Sequence, residues 1–175
     1  MKFDTAQSAV ALVLLSLVSL SPLMTWAEDA DLRYAIGTVY YAEGSEFKAV
    51  EKEAAPQSGR GIYSAKVKGA HAALRLQAEP HQVFRVCGVD PTRYKLYRFR
   101  SDAKTRIITI ATNTLLGGYK VVLPESEIQI KIEQADNGCF TLTTQETLKD
   151  GELGFSPVDS LDAFMFGIGR VPESR

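Results

Sequence analysis

Hydrophobicity in this chain alternates residue by residue, and that period decides its fold class. "EIQIKIEQ" places apolar side chains at every second position, and β-branched or aromatic runs such as "QVFRVC" and "TRIITIAT" accompany the alternation. No segment sustains apolar residues at i, i+3, i+4 and i+7 over three helical turns. Strands are expected at "RYAIGTVYY", "EFKAVEKE", "IYSAKVKG", "AALRLQ", "QVFRVC", "RYKLYRFR", "TRIITIAT", "YKVVL", "EIQIKIEQ", "CFTLTTQ", "GELGFSP" and "AFMFGIG". Turn formers separate them: Glu43-Gly44-Ser45, Lys68-Gly69, Gly88 with Asp90-Pro91, Ser101-Asp102, Gly117-Gly118, Asp136-Asn137-Gly138 and Asp150-Gly151. Short strands with turn signals every 8 to 12 residues or so predict an all-β, antiparallel sandwich or barrel rather than βαβ units.

Composition shifts once inside this pattern. "KEAAPQSGRG", Lys52 to Gly61, is small, polar and turn-rich. It divides an N-terminal β-hairpin (28–53) from a main β-domain (62–175), with 54–61 as linker or exposed loop. A lone two-stranded hairpin is unstable, so this one is expected to pack on the main domain or on a partner. The expected core is Ile36, Val39, Leu74, Leu76, Val83, Val86, Leu96, Phe99, Ile108, Ile110, Val122, Ile128, Ile130, Phe140, Leu142, Phe155, Phe164 and Phe166.

The first 27 residues read as a secretory signal peptide. Lys2 supplies a positive charge, "AVALVLLSLVSL" an apolar run, and Thr25 and Ala27 the small residues before a cut after Ala27. Periplasmic or secreted localisation is then expected, with no transmembrane segment once the signal is removed, because no later stretch is apolar for long enough. Removing one Lys and one Asp from totals of 20 and 21 leaves 19 basic and 20 acidic residues. A near-neutral chain outside the cytoplasm is not expected to bind nucleic acid. In an oxidising compartment Cys87 and Cys139 are expected to form one disulfide, the alternative being two buried thiols.

Several short motifs carry a resemblance. "GTVYYAEGSEFKAVE", "AKVKGAHAALRL", "YKLYRFRSDAKTRII" and "LKDGELGFSP" with "FMFGIG" resemble a group of exported bacterial proteins of uncharacterised function. Those proteins join a G-V-Y-Y-type hairpin to an immunoglobulin-like β-domain that closes in an L-x-x-G-E-Y-type corner. The resemblance implies an immunoglobulin-like β-sandwich with an N-terminal β-hairpin. Leu153 stands where the aromatic residue of that corner usually sits.

Catalytic motifs are sparse. The sequence has no G-x-S-x-G, H-E-x-x-H, P-loop or G-x-G-x-x-G pattern, and its histidines are His71 and His81. Ser156 in "GFSPVDS" reads as a strand end stopped by Pro157 rather than a nucleophile. His71, His81, Cys87 and Cys139 have zinc-ligand chemistry, but their spacing fits no finger or ribbon, and a disulfide would consume both thiolates. Neither metal nor cofactor is therefore expected. Nine acids between Pro124 and Asp162 fall at turns or on outward strand positions, where solvation rather than paired-carboxylate chemistry is the expectation.

The strongest asymmetry is basic. Arg93, Lys95, Arg98, Arg100, Lys104 and Arg106 stand within 14 residues against one acid, Asp102. On neighbouring strands they would form a patch for an anionic envelope component or an acidic protein face, unless acids of the same chain balance them. Within "RYKLYRFR", strict alternation leaves apolar residues on both faces. A β-bulge near Leu96-Tyr97 would gather Tyr94, Leu96, Tyr97 and Phe99 on one face and the cations on the other. The expected function is a non-catalytic exported binding module for an envelope or secreted macromolecule, in a narrower version an inhibitor or immunity partner. The alternatives are an envelope hydrolase using His71 or His81, or a small-ligand or lipid carrier with an apolar cavity.

Overall fold

The computed structural model describes residues 34–114 and 118–170. The expected signal peptide, 1–27, lies outside them. The described residues form no α-helix, only strands and two 3-10 turns. In chain order the strands are β1 (Val39–Glu43), β2 (Glu46–Ala49), β3 (Lys52–Ala54), β4 (Gln57–Ser58), β5 (Ile62–Lys68), β6 (Arg75–Leu76), β7 (Val83–Cys87) and β8 (Tyr94–Ser101). They continue as β9 (Thr105–Asn113), β10 (Tyr119–Val121), β11 (Glu127–Ile128), β12 (Ile130–Gln134), β13 (Cys139–Thr144), β14 (Gly151–Pro157) and β15 (Asp162–Ile168). Pairing is antiparallel except where β6 joins β15.

Two sheets result. One has five strands in the order β12-β13-β7-β1-β2, so the hairpin β1–β2 enters the main sheet through β7. The other follows the path β3-β15-β14-β8-β9-β5-β4, with β10 on β9, β11 on β8 and β6 on β15. Its end strands β3 and β4 are separated in sequence only by Ala55 and Pro56, so this sheet rolls toward closure. The stretch 54–61 is thereby part of the roll, exposed on most residues but with Ala55 buried in the interior.

Two runs that read as single strands each serve both sheets. "EFKAVEKE" breaks at Val50-Glu51: the Val50 N–H donates to the Val39 carbonyl at 2.8 Å, and the Glu51 carbonyl accepts from the Met165 N–H at 3.1 Å. "EIQIKIEQ" breaks at Gln129, β11 pairing with β8 and β12 with β13. Alternation continues across Gln129, where the periodicity carries no sign of the change in partner, whereas at Ala49-Val50 two apolar residues stand side by side and the alternation slips.

The main core lies between the sheets. Phe84 of β7 meets Phe155 of β14 edge-on at 4.9 Å between ring centroids and Phe166 of β15 at 5.0 Å. Each ring is fully buried, which stabilises the fold by roughly 1.5–3 kcal/mol per ring. Val39, Val86, Leu96, Leu142, Leu148, Leu153 and Ile168 complete this layer. A second, smaller core fills the roll with Ala55, Ala65, Val67, Phe99, Ile108, Ala163 and Met165. Successive side chains of β14 and β15 therefore enter different cores, and "AFMFGIG" is almost continuously apolar because both of its faces are covered. Ile36, expected in the core, is 72% exposed, lying at the surface over Gly88.

Cys87 and Cys139 form a disulfide across directly paired residues of β7 and β13. The Gly88 N–H donates to the Gly138 carbonyl at 3.1 Å, which makes 88–138 a hydrogen-bonded pair and leaves 87–139 at the adjacent position where α-carbons come closest. The bond spans 52 residues and contributes about 4 kcal/mol by the chain-entropy argument.

Two ionic clusters are built into the roll. Arg106 is 1% exposed and clasps Glu53 of β3 with two bonds, Nη1 to Oε1 at 2.9 Å and Nη2 to Oε2 at 2.7 Å. The carbonyls of Gly69 and Lys68 accept its other N–H groups. Glu152, 3% exposed, accepts from Arg75, from the Ala72 N–H at 2.9 Å and from His71 Nδ1 at 3.1 Å. Arg75 reaches it by lying across Gly167: a Cβ there would sit 1.7 Å from Arg75 Nη1. Gly167→Ala is expected to evict the guanidinium and strand the buried carboxylate, at a cost of about 3–5 kcal/mol. Arg75→Met should cost a similar amount and the double variant little more than either alone, measured by denaturant unfolding. Additive costs would mean that Gly167 acts independently of Arg75.

Candidate functional site

β8 runs without the expected bulge. Its ladder with β14 steps regularly from Tyr94↔Pro157 to Phe99↔Glu152. Tyr94 and Leu96 face the inter-sheet core, whereas Tyr97 and Phe99 face the roll interior. The mixed alternation of "RYKLYRFR" thus records a strand shared by two cores, and its cations do not gather on one face. The Tyr94 hydroxyl donates to the Gly37 carbonyl at 2.8 Å, and burial holds its pKa above that of a free phenol.

The six cations of the basic segment go to different places. Arg93 donates to the Val158 carbonyl at 3.2 Å and lies 4.0 Å from Asp159. Lys95 pairs with Glu127 at 3.5 Å. Arg98 donates to the carbonyls of Lys149 and Asp150 at 3.2 and 3.3 Å. Arg106 is enclosed in the roll with Glu53. Only Arg100 and Lys104 remain exposed without an ion pair among the described residues.

The fold supplies new neighbours for these two. Arg100 of β8 stands opposite Ile107 of β9, which stands opposite Lys66 of β5. Cross-strand partners share a face, so Arg100, Ile107 and Lys66 form one row, with Lys68 and Thr105 two positions along. A parallel row, Ile62–Thr112–Lys120, crosses β5, β9 and β10 farther out. Lys66 and Lys68 make no ion pair among the described residues, while Lys120 bonds Glu125 at 3.2 Å. No acid occurs in Ala54–Ala78 or in Ala103–Pro124, the stretches that build this wing. Sequence reasoning missed Lys66 and Lys68 because β5 lies some thirty residues before Arg93. The absence of acids from both stretches was the available signal.

Asp102 is the one carboxylate in the turn beside these cations. It accepts from the Lys104 N–H at 2.8 Å, the Thr105 N–H at 2.7 Å and the Thr105 hydroxyl at 3.0 Å. Those bonds, the Lys104 N–H first, hold its pKa below the ordinary aspartate range, with a smaller contribution from the Lys66 charge. Since the folded-state pKa is the lower one, the turn's stabilisation is present above the unfolded value and is lost as pH falls through the folded value. The Asp102 carboxyl carbon, followed by NMR, should titrate below the ordinary aspartate midpoint, and Lys66→Ala should move that midpoint upward. A midpoint at or above the ordinary value would contradict the arrangement.

Other chemistry-bearing residues are otherwise occupied. His71 joins Glu152, itself held by Arg75, and His81 Nδ1 lies 3.1 Å from the Thr144 carbonyl. Ser156 donates to the Asp162 carbonyl at 3.3 Å. Among the described residues no three His, Cys, Asp or Glu side chains are grouped to hold a metal ion, and no helix is long and apolar enough to cross a membrane. A cavity of about 50 Å³ lies in the roll against Phe99, Ile108 and Ala163, too small for a lipid chain. A larger cleft, about 410 Å³, opens between Gly37, Val50 and Pro157, and Lys52 and Asp162 in its lining pair at 3.4 Å. No family model, curated protein or solved structure matches the chain.

Proposed function

We propose that the protein is a non-catalytic exported binding module, and that the face carrying Arg100, Lys66 and Lys68 engages an anionic component of the cell envelope. The observation that carries this reading is the three-strand row Arg100–Ile107–Lys66, whose cations make no ion pair among the described residues, Asp102 in the adjacent turn being the one acid beside them. Charges held at fixed spacing on a sheet raise the local concentration of an anionic partner and orient it without any chemical step. Export is supported by the Cys87–Cys139 disulfide, which persists in an oxidising compartment. It accords with the apolar run Ala9–Leu20. The immunoglobulin-like version of the scaffold belongs to the same proposal. Two face-packed antiparallel sheets favour it, while the disulfide joins neighbouring strands of one sheet rather than bridging two.

Charge reversal tests the face. Binding of the full chain to a soluble polyanion such as polyphosphate should weaken as salt rises, and Lys66→Glu with Arg100→Glu should reduce it about tenfold or more. Arg93→Glu with Lys95→Glu, an equal change of net charge at residues outside the face and already paired, should change it less than about twofold. Equal losses from the two reversals would reduce the effect to net charge and remove the reason for singling out this face.

A further inference from the structure

The outer end of the same wing exposes apolar side chains on both of its sides, Ile62 on one and three others on the opposite one. Ile62 is 58% exposed, Tyr63 39%, Tyr119 66% and Val121 62%. The register places them in two adjacent rows across β5, β9 and β10: Ile62–Thr112–Lys120 and Tyr63–Ala111–Val121. Adjacent rows of a sheet present their side chains to opposite faces. Tyr119, two residues from Val121, projects with the second row. Ile62 therefore emerges on one side of this three-stranded ribbon, and Tyr63, Tyr119 and Val121 emerge on the other.

We propose that this end of the wing inserts into the interfacial layer of an anionic lipid surface, with the cationic face above it held against the lipid headgroups. The proposal rests on the binding reading above and names its partner. Two observations select lipid over a protein. A flat protein partner covering Tyr63, Tyr119 and Val121 would leave Ile62 in water, and one covering Ile62 would leave the other three, whereas a lipid layer surrounds an inserted tip. The accompanying residues also suit a membrane interface. Tyr119, Ile62, Tyr63 and Val121 occupy the outermost rows of the ribbon, where aliphatic side chains and amphipathic tyrosine rings favour an interfacial layer, and Lys66 and Arg100 lie several rows farther back, toward the headgroups. The inserted element is a hydrogen-bonded ribbon only a few residues deep, so it supports interfacial attachment and not spanning.

Vesicle co-sedimentation of the full chain tests the proposal, because every variant carries the same N-terminal apolar run and differences report the wing alone. Vesicles of phosphatidylglycerol with phosphatidylethanolamine should sediment the protein, and phosphatidylcholine vesicles much less. Tyr119→Ser with Val121→Ser should lower partition to the anionic vesicles about tenfold while leaving polyphosphate binding unchanged. Lys66→Glu with Arg100→Glu should lower both, each lost cation accounting for about fivefold at the membrane. Ile62→Ser, on the opposite side of the ribbon, supplies a second apolar variant, and matching thermal unfolding of all variants confirms that they fold. Polyphosphate binding without vesicle partition would overturn the lipid assignment and keep the cationic-face reading. Loss of neither would overturn both, and apolar variants that bind vesicles as the parent does would overturn insertion.

Discussion

Phe84 projects from β7 into the space between Phe155 and Phe166, and this contact fixes which side of β14 and β15 turns toward the five-stranded sheet. Once that side is fixed, the alternate residues Glu152, Ala163 and Met165 must face the other way. They would be solvated on an open sheet. Here the sheet curls until β3 and β4 approach from its two ends, and those residues become the lining of a second interior. The small side chains at Ala55, Ala65 and Ala163 suit a roll this tight. The polar members are tolerated because each is paired: Glu152 by Arg75, His71 and the Ala72 N–H, and Arg106 by Glu53.

Much of the sheet content was legible from alternation, β-branched or aromatic runs and turn residues, since "QVFRVC", "CFTLTTQ" and "GELGFSP" coincide closely with β7, β13 and β14. Three features were not. The change of sheet at Gln129 leaves alternation intact, so a pattern argument has nothing to detect there, and at Val50-Glu51 the slip of alternation does not say which strand is the new partner. The second core was invisible because alternation was interpreted with one buried face per strand. That assumption made a bulge seem necessary in "RYKLYRFR", where a regular strand with two covered faces accounts for the same residues. Ile36 illustrates the limit of composition: an isoleucine beside a strand start looks like core, yet the chain there lies over Gly88 at the surface.

The site followed a similar course. Counting cations along the sequence drew attention to Arg93–Arg106, but the fold sends Arg106 inward and ties Arg93, Lys95 and Arg98 to carbonyls or acids. What remains is a face assembled across strands, joining Arg100 to Lys66 through Ile107. A local charge count cannot anticipate such a face, because sheet neighbours are set by long-range pairing. A tally of acid-free stretches comes nearer, since Ala54–Ala78 and Ala103–Pro124 are the two stretches that pair. The wing also joins cations without an ion pair, Arg100, Lys66 and Lys68, to apolar side chains exposed on both sides of one ribbon.

Amide hydrogen exchange, compared between the free protein and the protein on anionic vesicles, tests the central claim most directly. The account predicts slowed exchange concentrated in β10 and the outer halves of β5 and β9, with the five-stranded sheet unchanged. Slowing centred on β12 and β13, or on the cleft between Gly37 and Pro157, would place the contact on a different surface and contradict the account.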